Sequence, residues 1–264
     1  MNDTFYATPV TGLRPADCTF YHRLDIPALR DADWHWDLRG DEARYLGGID
    51  FGGRRVLEIG PANGALSFWM ERQGADVVAC DLSPDVTRTS WDVLWREGMD
   101  VGAVQASMSA VMRGLNNGFW YAHAHHGSRV RLAHATAYDV PAALGRFDLV
   151  TLCAVLLHLR DPLRALEHAL TFTDDLLLIT DLVPFHLSEA ERNQPVARFL
   201  PSPNSVPPHG GVTWWHVTPA LYEQYLELRG FDIVGRTSGA YRHHTRPHEL
   251  FHLVARRRAA RRRA

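Results

Sequence analysis

The sequence predicts an α/β fold built on a doubly wound, mostly parallel sheet with helices on both faces. From Arg55 onward, short apolar runs alternate with stretches of helical pattern, the arrangement typical of a parallel sheet. Val, Ile and Leu dominate most of the runs, as expected for strands that are buried on both faces. With 264 residues, 46% hydrophobic and 22% charged, the chain has the composition of a globular α/β domain.

The elements follow in order along the chain. Seven strands are predicted at Val56–Ile59, Val77–Cys80, Val130–Ala133, Phe147–Cys153, Leu176–Thr180, Phe231–Gly235 and Leu250–Ala255. Three helices are predicted at Asn63–Gln73, Leu163–Leu170 and Pro219–Arg229. Asp161 and Pro162 supply a cap and a first residue for the second helix, and Gly230 ends the third.

Two connections are longer than a minimal α/β unit needs, and they divide the chain into regions. Residues 84–129 and 184–218 are rich in aromatic side chains, and we expect them to be lid insertions that form pocket walls. They interrupt a main domain at 51–255. Residues 1–50 form an N-terminal extension, and residues 256–264 form an Arg-rich tail.

Composition and charge exclude several classes of protein. The three cysteines are widely spaced, which argues against a disulfide framework and favours a reducing cytoplasm. No apolar run reaches the roughly 18–20 residues that cross a bilayer, and no secretion signal is recognisable, so we expect a cytoplasmic protein without a membrane partner. A net charge of −2 argues against general nucleic-acid binding, although the Arg-rich tail leaves an RNA-binding arm as an alternative.

The strongest functional signal is a glycine turn after the first core strand. The turn Gly60–Gly64 follows an apolar strand and leads into a helix, so its backbone can approach a ligand closely. Glu58 precedes the turn, where a carboxylate would repel a pyrophosphate and suit a ligand that carries an ammonium group. Asp81 ends the second strand about twenty residues later, where a carboxylate can accept both hydroxyls of a ribose.

Two further pieces complete a recognisable set. Residues 135–141 follow the third strand, where an adenine can lie, and residues 147–159 bring the end of the fourth strand to the same crevice. These four pieces, in this order and spacing, resemble the class I S-adenosylmethionine-dependent methyltransferases over about residues 54–255. The resemblance implies a seven-stranded sheet with a reversed last hairpin and S-adenosyl-L-methionine as the cofactor.

The resemblance also implies a role for individual residues. The methionine part is lined by Glu58, Gly60, Pro61, Ala62, Asn63 and Gly64; the ribose is held by Asp81; the adenine is flanked by Leu82, Ser83, Thr136, Ala137 and Tyr138; and Cys153 and Ala154 lie near the sulfonium. Thr136 stands where many members have an acid that hydrogen-bonds the adenine amino group. From its segment position, we also expect Arg39 to reach over the cofactor and pair with the methionine carboxylate.

A finer resemblance reaches outside this core. The stretches 33–37, 155–158 and 215–219 look like those of the carboxymethyltransferases that act on the tRNA wobble uridine, and of their small-molecule relatives. Those tRNA enzymes hold a carboxylated cofactor with basic residues and a Tyr. Here His35 replaces a Lys and Leu157 replaces that Tyr, so ordinary S-adenosylmethionine is the expected cofactor.

Catalysis by in-line methyl transfer needs alignment, and it needs a base only for a hydroxyl, phenol or acidic carbon acceptor. His158, just beyond the fourth strand, is the predicted catalytic residue. The predicted substrate-binding residues are Trp120, Tyr121, His209, Trp214, Trp215 and His216. Two histidine clusters, at 123–126 and 241–244, lack nearby acids or cysteines, so no metal is predicted.

The sequence therefore predicts a methyltransferase that acts on a small organic molecule, aromatic or partly apolar, in specialised metabolism. An RNA-modifying methyl- or carboxymethyltransferase is the alternative enzyme, favoured by the tail and the tRNA-enzyme resemblance. A cofactor-binding regulator without transfer activity is the alternative from another class.

Overall fold

The computed structural model describes residues 5–202, 213–244 and 246–259. Its strands are β1 (Trp36–Asp37), β2 (Arg55–Ile59), β3 (Asp76–Asp81), β4 (Arg131–His134), β5 (Phe147–Cys153), β6 (Thr173–Leu182), β7 (Ala197–Phe199), β8 (Trp215–Val217), β9 (Phe231–His243) and β10 (Arg246–Arg257). Its helices are α1 (Glu42–Tyr45), α2 (Ala65–Arg72), α3 (Val101–His126), α4 (Pro162–Phe172), α5 (Glu189–Arg192) and α6 (Pro219–Leu228). The predicted His209 and residues 260–264 of the tail lie outside the described residues.

Eight of the described strands form one sheet in the order β1-β9-β10-β6-β5-β2-β3-β4. The pairs that join β6, β5, β2, β3 and β4 are parallel, whereas β10 runs antiparallel to both β6 and β9. The predicted α/β fold with a reversed last hairpin is confirmed, and all seven predicted strands are present. The short strand β1 is an eighth strand of this sheet, and its two residues are too few to give a strand pattern in the sequence.

Both faces of the sheet are buried, as the apolar runs predict. Val56 and Leu57 of β2 belong to different hydrophobic clusters, and so do Val77 and Val78 of β3. One cluster includes side chains from α2 and α3, and the other includes side chains from α4 and α6. Neighbouring residues of one strand point to opposite faces, so helices cover the sheet on both sides.

Helix α3 was not predicted, and it occupies the larger part of the expected lid at 84–129. Asp100 caps its first turn by accepting a hydrogen bond from the Ala103 amide at 2.9 Å, and Gly127 ends it with a φ of 57°. Residues before it pack on its first turns, where Val86 and Val93 share a small cluster with two methionines. Only residues 84–99 therefore remain as an irregular cover. Among the described helices, including this one of 26 residues, none is apolar enough over its length to cross a membrane.

The N-terminal segment crosses the molecule from one side of the sheet to the other. The Ala7 amide donates to the Leu132 carbonyl beside β4, and the Thr19 amide donates to the Gly114 carbonyl of α3. The segment then reaches the opposite edge, where Trp36 pairs with His243 of β9. Because its hydrophobic side chains join the core cluster that α2 and α3 share, the segment is part of the packed structure.

Candidate active site

The site lies where the order of the parallel strands reverses. Strand β2 has β3 on one side and β5 on the other, and all three run in the same direction. The loops that leave their carboxyl ends therefore separate and open a crevice, which is where ligands bind in open α/β sheets. The glycine turn, Asp81 and Cys153 all occupy these ends.

The glycine turn is fixed by backbone hydrogen bonds and by close packing. The Gly60 amide donates to the Cys80 carbonyl at 2.9 Å, which ties the turn to the end of β3. Gly60 and Gly64 both have a φ of 80°, in the left-handed region that glycine adopts without strain. A Cβ at Gly64 would lie 2.7 Å from a ring carbon of Phe119. A side chain at Gly64 would thus strain the backbone and displace a core aromatic ring.

Asp81 presents a half-buried carboxylate to the crevice. One oxygen accepts a hydrogen bond from the Ala62 amide at 3.2 Å, and the other accepts one from the Leu82 amide at 2.8 Å. A carboxylate has about four acceptor positions, so capacity remains for two ligand hydroxyls. Burial raises the pKa of Asp81 to about 6, against the lowering effect of these two amides. The group is ionised at pH 7.5 and poised to titrate slightly below neutrality.

Glu58 is a second carboxylate beneath the same turn. It is 2% exposed and accepts a hydrogen bond from the Ser67 hydroxyl of α2. Burial, and then the charge of Asp81, raise its pKa to about 7. Two carboxylates in one desolvated region make the crevice electronegative whenever they are ionised, which favours a ligand with cationic groups.

Asn63 has a different role from the one that the sequence predicts. Its amide is completely buried, donates to the His22 carbonyl at 2.9 Å and accepts from the His22 amide at 2.7 Å. The side chain therefore attaches the N-terminal segment to the glycine turn. Since both of its polar atoms are used in this way, the Asn63 side chain is not a lining group for the cofactor, and only its backbone remains available.

Arg39, which the sequence predicts to reach over the cofactor, forms ion pairs in this structure. Its guanidinium donates to Asp37 at 2.8 and 3.0 Å and lies 3.9 Å from Asp25. Asp37 belongs to β1, which is separated from β2 by β9, β10, β6 and β5. Arg242 of β9 joins the same carboxylate at 2.6 Å. Arg39 is thus part of an ion-pair group around Asp37, where β1 pairs with the end of β9.

The loop after β4 lies beside Asp81 and anchors the irregular cover. The Ala135 amide donates to the Asp81 carbonyl at 2.9 Å, which brings Thr136, Ala137 and Tyr138 next to the end of β3. The Tyr138 hydroxyl donates to Asp92 of the cover and accepts from the Asp161 amide at 3.0 Å. Burial raises the pKa of Tyr138, so this phenol stays protonated and keeps donating to Asp92.

A cavity of about 530 Å³ opens between the irregular cover and the loop after β5. Its walls are Arg88, Thr89, Asp92, Leu94, Trp95, Arg160 and Trp214. The indole nitrogen of Trp214 donates to the Asp92 carbonyl at 2.7 Å, and its backbone amide donates to the Leu157 carbonyl at 2.8 Å. Trp214 was predicted from the sequence, whereas Trp95 and the two arginines were not singled out.

The predicted histidines occupy unlike environments. His158 is half-buried at the end of a single 3₁₀ turn, Leu156–His158, that leaves β5 at the crevice. His216 is 5% exposed in β8, with its ring stacked on His186 at 5.3 Å. Burial, and then the charges of His186 and Arg198, lower the pKa of His216 to about 4. His216 is thus a neutral packed ring at pH 7.

The remaining expected residues divide between core and crevice. Trp120 of α3 is 4% exposed and packs on Phe119, with ring centroids 5.2 Å apart, so it is a core residue rather than a pocket wall. Its neighbour Tyr121 contacts the Phe20 ring edge to face at 6.0 Å. Trp215 donates from its indole nitrogen to the Arg160 carbonyl at 3.0 Å, next to the cavity.

The backbone after β5 is distinctive where the sulfonium is expected. Ala154 has a φ of 53°, and its amide donates to the Thr180 carbonyl at 2.7 Å. Such a φ is uncommon for a residue with a side chain, and it turns the chain sharply from β5 toward His158. Burial raises the pKa of the preceding Cys153, so its thiol is protonated at pH 7 and is no nucleophile.

Comparison with known proteins agrees with this geometry. A family model described as "Methyltransferase domain" matches residues 35–236. Because this match spans well over half of the chain, the chain belongs to that family, and the prediction of a class I S-adenosylmethionine-dependent methyltransferase is confirmed. S-adenosyl-L-methionine is therefore the cofactor, as the resemblance implied. No curated protein matches the sequence.

Solved structures share the fold at low sequence identity. The 1,6-didemethyltoxoflavin-N1-methyltransferase of Burkholderia thailandensis, with bound 1,6-didemethyltoxoflavin and S-adenosylhomocysteine, is 17% identical with a TM-score of 0.52, covering 83% of this chain and 77% of its own. The magnesium protoporphyrin IX methyltransferase of Synechocystis PCC 6803, with bound S-adenosylhomocysteine, is 16% identical with a TM-score of 0.50, covering 82% and 80%. A putative RNA methyltransferase from Pyrococcus horikoshii is 12% identical with a TM-score of 0.50, covering 83% and 84%. None of these matches supports the tRNA wobble-uridine group in particular.

Proposed function

We propose that this chain transfers a methyl group from S-adenosylmethionine to a small, planar organic acceptor held in the cavity beside Trp214. The observation that carries the proposal is the position of this cavity. Asp92 lines the cavity and also accepts the hydrogen bond of the Tyr138 hydroxyl. Tyr138 follows β4, which is the neighbour of β3, and β3 ends at Asp81. An acceptor in the cavity would therefore lie beside a cofactor bound at the ends of β2 and β3.

The chemistry of the crevice fits the cofactor. S-adenosylmethionine carries a sulfonium and an ammonium group, and the buried Glu58 and the half-buried Asp81 supply two carboxylates that attract cations when they are ionised. The unused acceptor positions of Asp81 suit the two ribose hydroxyls. The turn from Gly60 to Gly64 would take the methionine part, because its backbone can be approached closely.

The other cofactor contacts follow from the same orientation. With the ribose at Asp81, the adenine would lie between residues 82–83 and residues 136–138, which the Ala135 hydrogen bond brings to the end of β3. The sulfonium would then approach Cys153 and Ala154 at the end of β5. Arg39 is left out of this assignment, because Asp37 and Asp25 already hold its guanidinium.

When bound, S-adenosylmethionine would supply a methyl group on a sulfonium. An acceptor nucleophile would attack this methyl carbon in line, and S-adenosylhomocysteine would leave as the C–S bond breaks. The contribution of the protein is mainly alignment of acceptor and methyl group, which can supply about 7–11 kcal/mol. His158 is the proposed proton acceptor for a hydroxyl or phenol nucleophile, because it lies in the turn that leads from β5 to Arg160 of the cavity wall. Leu157 links this turn to Trp214.

The cavity walls favour a flat acceptor with a negative group. The guanidinium of Arg160 lies 5.0 Å from the ring centre of Trp214, and that of Arg88 lies 5.5 Å from the ring centre of Trp95. Indole faces stack well with aromatic rings, and arginines at the rim pair with carboxylates or phenolates. Both features support a small aromatic acid or phenol as the class of acceptor.

The experiment that tests this function identifies the acceptor directly. Purified protein is incubated with methyl-labelled S-adenosylmethionine and a fractionated small-molecule extract, and labelled products are identified by mass spectrometry. We expect label in a small aromatic compound, and loss of that product in Trp214→Ala. Labelling of RNA alone, with no small-molecule product, would contradict the proposal.

An RNA substrate has one observation in its favour, the putative RNA methyltransferase among the structural neighbours. The described part of the Arg-rich tail points the other way. Arg256 pairs with Asp175 at 3.2 Å, and Arg258 pairs with Asp232 at 2.7 Å, so these cations are already neutralised within the chain. A gel shift with tRNA at physiological salt would distinguish the two substrates.

A further inference from the structure

Three histidines from distant parts of the sequence meet at the tip of the β9–β10 hairpin. His35 precedes β1, His243 ends β9 and His244 begins the turn. One ring nitrogen from each lies within 4.8 Å of those of the other two. The sequence showed only two of the three side by side, without a third ligand.

Backbone pairing between β1 and the end of β9 brings His35 next to His243 and His244. Trp36 pairs with His243 in antiparallel register, and the His244 amide donates to the His35 carbonyl at 2.7 Å. His244 has a φ of 48°, which turns its side chain back toward His35, and the two ring centroids are 4.9 Å apart. The ring centroids of His243 and His244 are 4.5 Å apart.

We propose that His35, His243 and His244 form a binding site for one divalent transition-metal ion, with zinc as the reference ion. Three nitrogens bound tetrahedrally to zinc at 2.0–2.1 Å lie about 3.4 Å apart, so the rings need to close by little more than 1 Å. His244 is exposed and free to make most of this movement. Three imidazoles without a carboxylate suit zinc, nickel or copper and not magnesium or calcium.

The surroundings leave room for a fourth ligand. A cavity of about 490 Å³ borders His35 and is also lined by Asp31, Asp33 and Cys18. Three protein ligands with one open position is the pattern of zinc sites that exchange a water or a small molecule.

A bound ion would join the N-terminal segment to the hairpin near the cofactor crevice. The Tyr21 ring lies 5.2 Å from that of His35, and the next residue, His22, carries both hydrogen bonds to Asn63 of the glycine turn. One ring contact and the backbone hydrogen bonds of His22 thus connect the metal site to Asn63 of the glycine turn. It does not depend on the proposed function, because its ligands are outside the crevice.

The test measures metal binding by the full chain without a histidine tag. Chelator-treated protein is titrated with zinc chloride by calorimetry, and with cobalt chloride while the visible absorption of tetrahedral cobalt is recorded. We expect one ion per chain, and a rise in Tm of about 5 °C at a saturating zinc concentration. Less than half an ion per chain at saturation would overturn the proposal.

Two ligand variants and a control locate the ion. His244→Asn keeps a residue that tolerates positive φ while it removes the imidazole, and His243→Gln keeps a polar side chain of similar length. Each is expected to weaken zinc binding at least tenfold with an unchanged Tm in chelator, whereas His125→Ala, an exposed histidine of α3, should bind zinc like the wild type. Unchanged affinity in both ligand variants, or an equal loss in the control, would contradict the site.

Discussion

Replacing Asp81 tests the assignment of the cofactor crevice most specifically. Its carboxylate is half-buried, already accepts hydrogen bonds from two amides, and has two acceptor positions left for the ribose hydroxyls. Each hydrogen bond to a charged group contributes about 1.5–3 kcal/mol, so Asp81→Ala should weaken cofactor binding by at least about one to two orders of magnitude. The assay is calorimetry with S-adenosylhomocysteine at pH 8, where the wild-type carboxylate is ionised.

The strand itself provides the matched control. Asp76 begins β3 at the opposite end of the sheet, is exposed, and lies 3.8 and 3.6 Å from Arg55 and Arg131. Asp76→Ala removes the same chemical group from the same strand and should bind the cofactor like the wild type. A 2′-deoxy analogue should lose affinity for the wild type and little for Asp81→Ala. Equal affinities of wild type and Asp81→Ala would refute the ribose role.

Three further predictions concern the same crevice. Asp81 accepts both hydroxyls only when it is ionised, and its pKa is raised to about 6, so cofactor affinity should fall about tenfold per pH unit below pH 6. Calorimetry from pH 5 to 8 should show a flatter pH profile for Asp81→Ala than for the wild type. An equally steep profile in the variant would assign the titration to another group. Asn63→Ala should lower the free energy of unfolding in urea by about 2–3 kcal/mol, since it leaves the buried His22 amide and carbonyl without partners; a loss below about 0.5 kcal/mol would mean that the N-terminal segment is held elsewhere. His158→Ala should reduce turnover at least a hundredfold with cofactor Kd unchanged, and a variant with full turnover would remove His158 from the mechanism.

The sheet and its crevice could be predicted from the sequence because their signals are local. Each signal is contained in a short stretch of sequence: the apolar run of β2, the glycine turn that follows it, and the acid at the end of β3. The helix signals at Asp161 and Pro162 were equally local, and Asp161 accepts from the Arg164 amide as a cap should. The crevice then follows from the rule that parallel strands end at one edge.

The parts that were missed depend on tertiary contacts. Helix α3 contains glycines that lower its intrinsic propensity, and at Gly118 a Cβ would lie 2.5 Å from the Thr19 carbonyl oxygen. Glycine at this position lowers the helix propensity, but it lets the N-terminal segment pack closely on α3. The partner of Asn63 is not visible in the sequence, because His22 lies 41 residues away and meets it only in the fold. The pairing of Arg242 with Asp37 joins residues 205 positions apart. The meeting of His35 with His243 likewise depends on the pairing of β1 with β9.

The central claim is that the cofactor occupies the carboxyl ends of β2 and β3. A crystal structure of the protein with S-adenosylhomocysteine measures this directly. We predict both ribose hydroxyls within hydrogen-bonding distance of the Asp81 carboxylate and the homocysteine part along Gly60–Gly64. Density for the ligand at another place in the fold, with Asp81 still bonded only to Ala62 and Leu82, would contradict it.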